Sequence, residues 1–232
     1  MDSSAAPIGW RSRSADAASV ALLAALLLLA ACSHTPADPS VKGSGLSYES
    51  PTYRAGHPPY GRLAIDPMKD ERPGHEYGRT DYLKFTYVSD RLYDRPVNAM
   101  MKRLLAKELR DSGAFDVVDE TAAASYLLEV GIRHFHARYE TSALAITLVL
   151  PSISVDAELE IQVVLRDQDG RRFLDKVYRG KDDGLAVALE GAIGECESLL
   201  NGLLTRFTAE MVKDADQSVP AFWKALGKEV PR

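Results

Sequence analysis

His134 and His136 stand two residues apart in a stretch that reads as a strand, so both imidazoles point the same way. Two imidazoles on one face could begin a metal site, but a zinc-type site needs at least a third protein ligand. The sequence places neither His57 nor His75 beside them. The pair is therefore read as exposed on the polar face of its strand, and no metal or other cofactor is expected. Asp66, Asp70 and Glu71 form a second cluster, with Arg72 next to them. Carboxylates do acid–base work when their surroundings push their pKa values apart. These lie in a loop broken by Pro67 and Pro73, which reads as a solvated turn with local ion pairs. Cys196 falls on an apolar helical stripe, whereas a reactive thiol needs an electropositive, partly open setting. It is read as a buried structural thiol. Neither a nucleophile elbow nor a phosphate-cradling glycine loop occurs, so no catalytic residues are assigned and no enzyme is expected.

Cys32 is a different case. Val20 to Ala31 is an unbroken run of 12 apolar residues, preceded by Arg11 and Arg13. Such a run is shorter than the roughly 20 residues of a membrane-spanning helix and matches the apolar core of a secretory signal. It ends in Leu29-Ala30-Ala31-Cys32, which resembles the bacterial lipobox. That resemblance implies a thioether between the Cys32 sulfur and diacylglycerol, with cleavage before the cysteine. Each buried methylene adds about 0.8 kcal/mol of membrane affinity, so two or three acyl chains hold a protein on a bilayer almost permanently. Ser33, rather than Asp, follows the cysteine; by resemblance to enteric sorting this implies the periplasmic face of the outer membrane.

The rest of the chain must then be positioned by that anchor. Residues 1–31 are read as a lipoprotein signal peptide, 32–59 as a flexible tether rich in Pro, Ser and Gly, and 60–232 as one periplasmic domain. Tyr48 and Tyr53 are expected to dock on that domain. The 28 Lys and Arg against 33 Asp and Glu give a formal charge of −5, which argues against a nucleic-acid partner. Hydrophobic content of 46% and charged content of 26% are ordinary for a globular chain. With Cys32 capped by lipid, Cys196 is the one thiol left, so no intramolecular disulfide is expected.

Gly61 to Asp66 reads as a short strand and Phe85 to Val88 as another. From Pro96 a helix is expected, with Asp94 as its cap. Its apolar stripe is Val97, Met100, Met101, Leu104, Leu105 and Leu109, and it stops at Ser112-Gly113. A short strand Phe115–Val118 follows, then a long one from Tyr126 to Tyr139. Val155 to Arg166 alternates apolar and polar residues, the mark of an antiparallel strand with one wet face. Asp167 to Gly170 reads as a hairpin turn, returning through Arg171 to Arg179. A helix about 30 residues long is expected over 184–213 with Leu185 in its stripe, and Pro220 is expected to open a short final helix. The fold class is α+β: an antiparallel-rich sheet of four to five strands with two main helices packed on one face.

Thr141 to Val155 carries no charge over fifteen residues. Two readings stay open: an edge strand broken by Pro151, or an apolar tip presented to a partner. In the second, Leu144, Ile146, Leu148, Val149 and Leu150 form the interaction segment.

The chain resembles the YajG-type family of outer-membrane lipoproteins. The resemblance rests on the lipobox, on Leu63-Ala-Ile-Asp66 followed by Asp70-Glu-Arg-Pro73, on helix 96–111, and on the C-terminal helix ending near Pro220-Ala-Phe-Trp223. It covers about residues 60–230; the long tether and the 141–155 insert depart from it. The chain is also similar to the accessory lipoproteins of ABC-type lipid transporters, through the Val155–Arg166 strand and the Asp-x-Asp-Gly hairpin. Both resemblances imply a lipid-anchored envelope protein with a partner-binding or scaffolding domain and no catalysis. The alternative is an accessory lipoprotein of a lipid or lipopolysaccharide transport system. The expected partners are the membrane, through the lipid, and an envelope protein; the oligomeric state is not set by the sequence.

Overall fold

The computed structural model describes residues 48, 50, 52–77, 85–93, 96–140, 153–187 and 189–230, without the side chains of residues 89, 91, 189 and 190. The signal-peptide and lipidation residues Leu29, Ala30, Ala31 and Cys32 lie outside this set, as do Asp94 and the segment containing Leu144, Ile146, Leu148, Val149 and Leu150.

Seven strands form one mixed sheet among the described residues, which makes the fold α+β with a larger sheet than the four to five strands expected. They are β1 (Arg62–Ile65), β2 (Lys69–Asp70), β3 (Phe85–Tyr87), β4 (Asp116–Val118), β5 (Tyr126–Glu140), β6 (Ile153–Asp167) and β7 (Arg172–Ala186). The helices are α1 (Ser89–Leu92), α2 (Val97–Ser112) and α3 (Leu189–Ala225). The main path runs β4-β1-β5-β6-β7. β5, β6 and β7 are antiparallel neighbours, while β1 lies parallel to both β4 and β5. One edge of β5 is thus shared in turn by β1 and β2, both parallel, and by β3, antiparallel. β3 coincides with the short strand read over Phe85 to Val88, whereas β2 escapes a sequence reading because its two residues are too few for a period to show.

Both long helices bury their apolar stripes in one core with the sheet, including Leu105 and Leu109 from α2, Leu200 and Phe207 from α3, and Leu128 and Ile161 from the strands. α2 ends as its sequence requires: Gly113 takes φ 75°, the left-handed conformation that glycine adopts without a Cβ clash. Gly170 does the same in the β6–β7 hairpin, at φ 82°. Three boundaries differ from expectation. β7 continues past Arg179 to Ala186, because its backbone stays paired with β6 as far as Ile153. Leu185 is therefore a strand residue, 73% exposed, and not part of the helical stripe. Pro220 lies inside α3, not at the start of a separate helix. Proline there forfeits one helical hydrogen bond. The turn persists because Val219 and Trp223 on either side are buried, and Trp223 packs near the Phe173 ring, 6.2 Å between centroids.

Residues 48, 50 and 52–60, reaching into the segment read as a tether, pack on the helices. The Tyr48 and Ser50 hydroxyls donate to the Glu108 carboxylate, which is buried on α2. The Tyr53 hydroxyl donates to Asp216, buried on α3, and His57 Nε2 meets the same carboxyl at 2.7 Å. The Ala55 N–H donates to the Ser112 carbonyl, 2.8 Å, closing this strap over the end of α2. Buried carboxylates need such partners. Hydrogen bonding to Asp216, aided by burial, pushes the Tyr53 pKa up to about 12.

Candidate functional site

β5 changes phase half-way along. Leu128, Val130 and Ile132 face the core, and then Phe135, Ala137 and Tyr139 do. Ile132 pairs with Ile161 and His134 pairs with Glu160, so Arg133 is the extra residue of a β-bulge. Unbroken alternation from Leu128 would turn His134 and His136 into the core. The bulge sends both to the opposite face.

On that face the pair is not the exposed one expected. His136 is only 6% exposed, and between the two rings lies Glu76, 1% exposed, carried by the 3-10 turn Gly74–Tyr77. The placement follows from a gap in the sheet. β2 leaves β5 at Ile132 and β3 joins it at Arg138, so the Phe135 backbone between them has no strand partner on that edge. Side chains stand in for the missing strand. Glu76 Oε2 accepts from the Phe135 N–H at 3.3 Å, and Arg72 Nη1 donates to the Phe135 carbonyl at 3.4 Å.

That leaves Glu76 Oε1 facing two imidazoles. His134 Nδ1–H donates to it at 2.6 Å. His136 Nδ1 lies 3.2 Å from the same oxygen but without hydrogen-bond alignment, and among the described residues it has no hydrogen-bond partner. Burial raises the Glu76 pKa, but the two histidines and the Phe135 N–H outweigh it, and the net shift is downward. The carboxylate is therefore held ionised. Of the described residues, Glu76, His134 and His136 are the group whose donor atoms could share a metal ion, all within 4.8 Å of one another. A hollow of about 210 Å³ opens beside them, lined by His136, Arg138, Asp156 and Glu158.

The Asp66–Arg72 region is less wet than its sequence suggests. Arg72 is 5% exposed and forms a bidentate pair with Asp70, at 2.9 and 2.8 Å, plus a third bond to Asp90 at 2.8 Å. Asp66 stands apart, 3.4 Å from Arg166, at the rim of an open groove of about 580 Å³ that Lys69, Glu71 and Arg172 also line. Asp66 and Asp70 are thus not brought together with His134 and His136. His75 contributes its ring to Tyr87 at 5.1 Å, and Tyr87 in turn touches His136 at 5.3 Å. Cys196 is fully buried on α3, and burial drives its pKa up to about 12, which keeps it a thiol. Sequence reasoning misses Glu76 because it sits 58 residues before His134, and no local pattern predicts the crossing. No helix among the described residues is long and apolar enough to cross a membrane.

No family model matches the chain, and no curated protein does. Among solved structures, a Xanthomonas campestris protein of the DUF330 family model is 14% identical, with TM-score 0.45 over 73% of this chain and 95% of that one. A minor lipoprotein from Acinetobacter baumannii is 10% identical, with TM-score 0.33 over 69% and 94%. A PelC dodecamer from Paraburkholderia phytofirmans is 17% identical, with TM-score 0.29 over 69% and 94%. None of these likenesses decides family membership.

Proposed function

We propose that the protein is a lipid-anchored bacterial envelope protein. Its folded domain binds a protein partner on the periplasmic face of the outer membrane and catalyses nothing itself. The observation that carries this reading is Leu29-Ala30-Ala31-Cys32 at the end of an apolar run too short to span. The strap from Tyr48 supports a division of labour. The tether is the stretch 32–59, and its described end is gripped by Glu108 through Tyr48 and by Asp216 through Tyr53. The partner surface is assigned to the uncharged segment with Leu144, Ile146, Leu148, Val149 and Leu150. In the sequence it follows Glu140, the last residue of β5, and runs up to Ile153, the first of β6, which pairs with Ala186. On either side of Ala186, Leu185 and Val187 are 73% and 70% exposed, an unusual pair of open apolar side chains at that end of the hairpin.

A Cys32→Ser variant tests the anchor. The expected result is loss of acyl labelling and release from washed membranes; unchanged labelling and unchanged membrane recovery would refute it. A Leu148→Glu variant tests the partner surface by crosslinking in intact cells. The wild-type crosslink should disappear while thermal unfolding stays the same. The second reading, an accessory subunit of a lipid or lipopolysaccharide transport system, draws on the resemblance of the β6–β7 hairpin. Capture of a transporter subunit by the Leu148 crosslink would select it.

A further inference from the structure

We propose that Glu76, His134 and His136 form a binding site for one divalent transition-metal ion of the zinc type. This goes beyond the anchoring reading and stands or falls separately from it. Two imidazoles and a carboxylate supply a borderline N₂O donor set, which favours ions such as Zn²⁺ over Mg²⁺ or Ca²⁺. A zinc ion with ligands at about 2.0–2.1 Å in tetrahedral array holds its donor atoms about 3.3 Å apart. The two Nδ1 atoms lie 2.6 and 3.2 Å from Glu76 Oε1 and the donor atoms all fall within 4.8 Å of one another, so side-chain rotations that move them by about an ångström reach that spacing and admit the ion.

Three features separate this cluster from an ordinary buried ion pair. His136 Nδ1 is buried and lacks an aligned partner, a state that costs free energy unless a ligand completes it. Glu76 Oε2 is fixed by the Phe135 N–H, the type of second contact that orients a metal-bound carboxylate. His134 has a side chain 35% exposed, so the fourth position opens toward water, as does the hollow beside His136. Each imidazole ligates through its Nδ1 lone pair with its one proton on Nε2, any further proton passing to solvent, and the ion pins the Gly74–Tyr77 turn to β5. Three protein ligands and one open position allow exchange of the fourth ligand.

The test is titration of full-length, chelator-treated protein in detergent with Co²⁺, followed by visible absorption and displacement with Zn²⁺. Saturable one-to-one binding is expected. A His134→Gln variant, whose side chain is partly exposed and whose fold is checked by circular dichroism, should bind at least about tenfold more weakly. A His136→Gln variant should do the same, and a His57→Gln variant should bind as the wild type does. Absence of saturable binding by the wild type, or full-strength binding by folded His134→Gln protein, overturns the proposal.

Discussion

The two halves of β5 belong to one strand and lie against one neighbour, β6, yet they have different surroundings. From Tyr126 to Ile132 the outer edge is covered by parallel backbone from β1 and β2. From His134 to Glu140 it is covered first by side chains, Glu76 and Arg72, and only then by β3. The first half builds core. The second half also builds core, through Phe135 and Ala137, but its other face holds the titratable cluster. One surplus residue, Arg133, makes the difference. It lets an apolar ladder continue inward while the histidines stay outside.

Breaking the phase of the regular half should have the largest effect. Deleting Glu129 leaves the bulge in place but swings Leu128 away from the core. Loss of the cooperative thermal transition is expected, and a sharp transition near the wild-type temperature would contradict the assignment. Next in size is Phe135→Ala, which empties a fully buried site and should cost about 3–5 kcal/mol in urea unfolding. Arg72→Met should cost about 3 kcal/mol. It removes the guanidinium from Asp70 and Asp90 and leaves the Phe135 carbonyl unpaired, though both acids are partly exposed and water relieves some of the loss.

Smaller effects sharpen the contrast with the strap. Burial lowers the His57 pKa, but the Pro58 carbonyl and Asp216 outweigh it and leave it above its ordinary value. A raised folded-state pKa means the stabilisation is complete below the unfolded value of about 6.5 and fades as pH rises through the folded value. Urea midpoints of the wild type should therefore fall relative to His57→Gln as pH increases across that window; parallel curves would remove the pair from the account. Smallest of all is deletion of Arg133 itself. It removes the surplus residue, keeps Phe135 in phase with Ile132, and should leave the unfolding temperature nearly unchanged.

These contrasts also show where the sequence is readable. The end of α2 at Gly113 and the hairpin at Gly170 are legible because only glycine accepts those backbone angles cheaply. The β6 strand is legible because its alternation is unbroken. The position of the histidines is not. A bulge adds one residue without changing composition, and the Leu128–Ile132 alternation, extended, points His134 the wrong way. Glu76 is not legible either, since it is placed by the gap between β2 and β3, a property of pairing rather than of local pattern. The continuation of α3 through Pro220 is hidden for a similar reason: burial of Val219 and Trp223 overrides a local breaker. Gly180 shows the same dependence on distant packing. A Cβ there would meet a terminal methyl of Leu203 on α3 at 2.6 Å, so any other residue would make that side chain shift.

Cross-strand nuclear Overhauser contacts between β5 and β6 in isotope-labelled protein test the register most directly. Ile132 should meet Ile161 and His134 should meet Glu160, with Arg133 opposite no residue of its own. Contacts pairing Arg133 with Glu160 and His134 with Leu159 would put the imidazoles in the core and contradict the account.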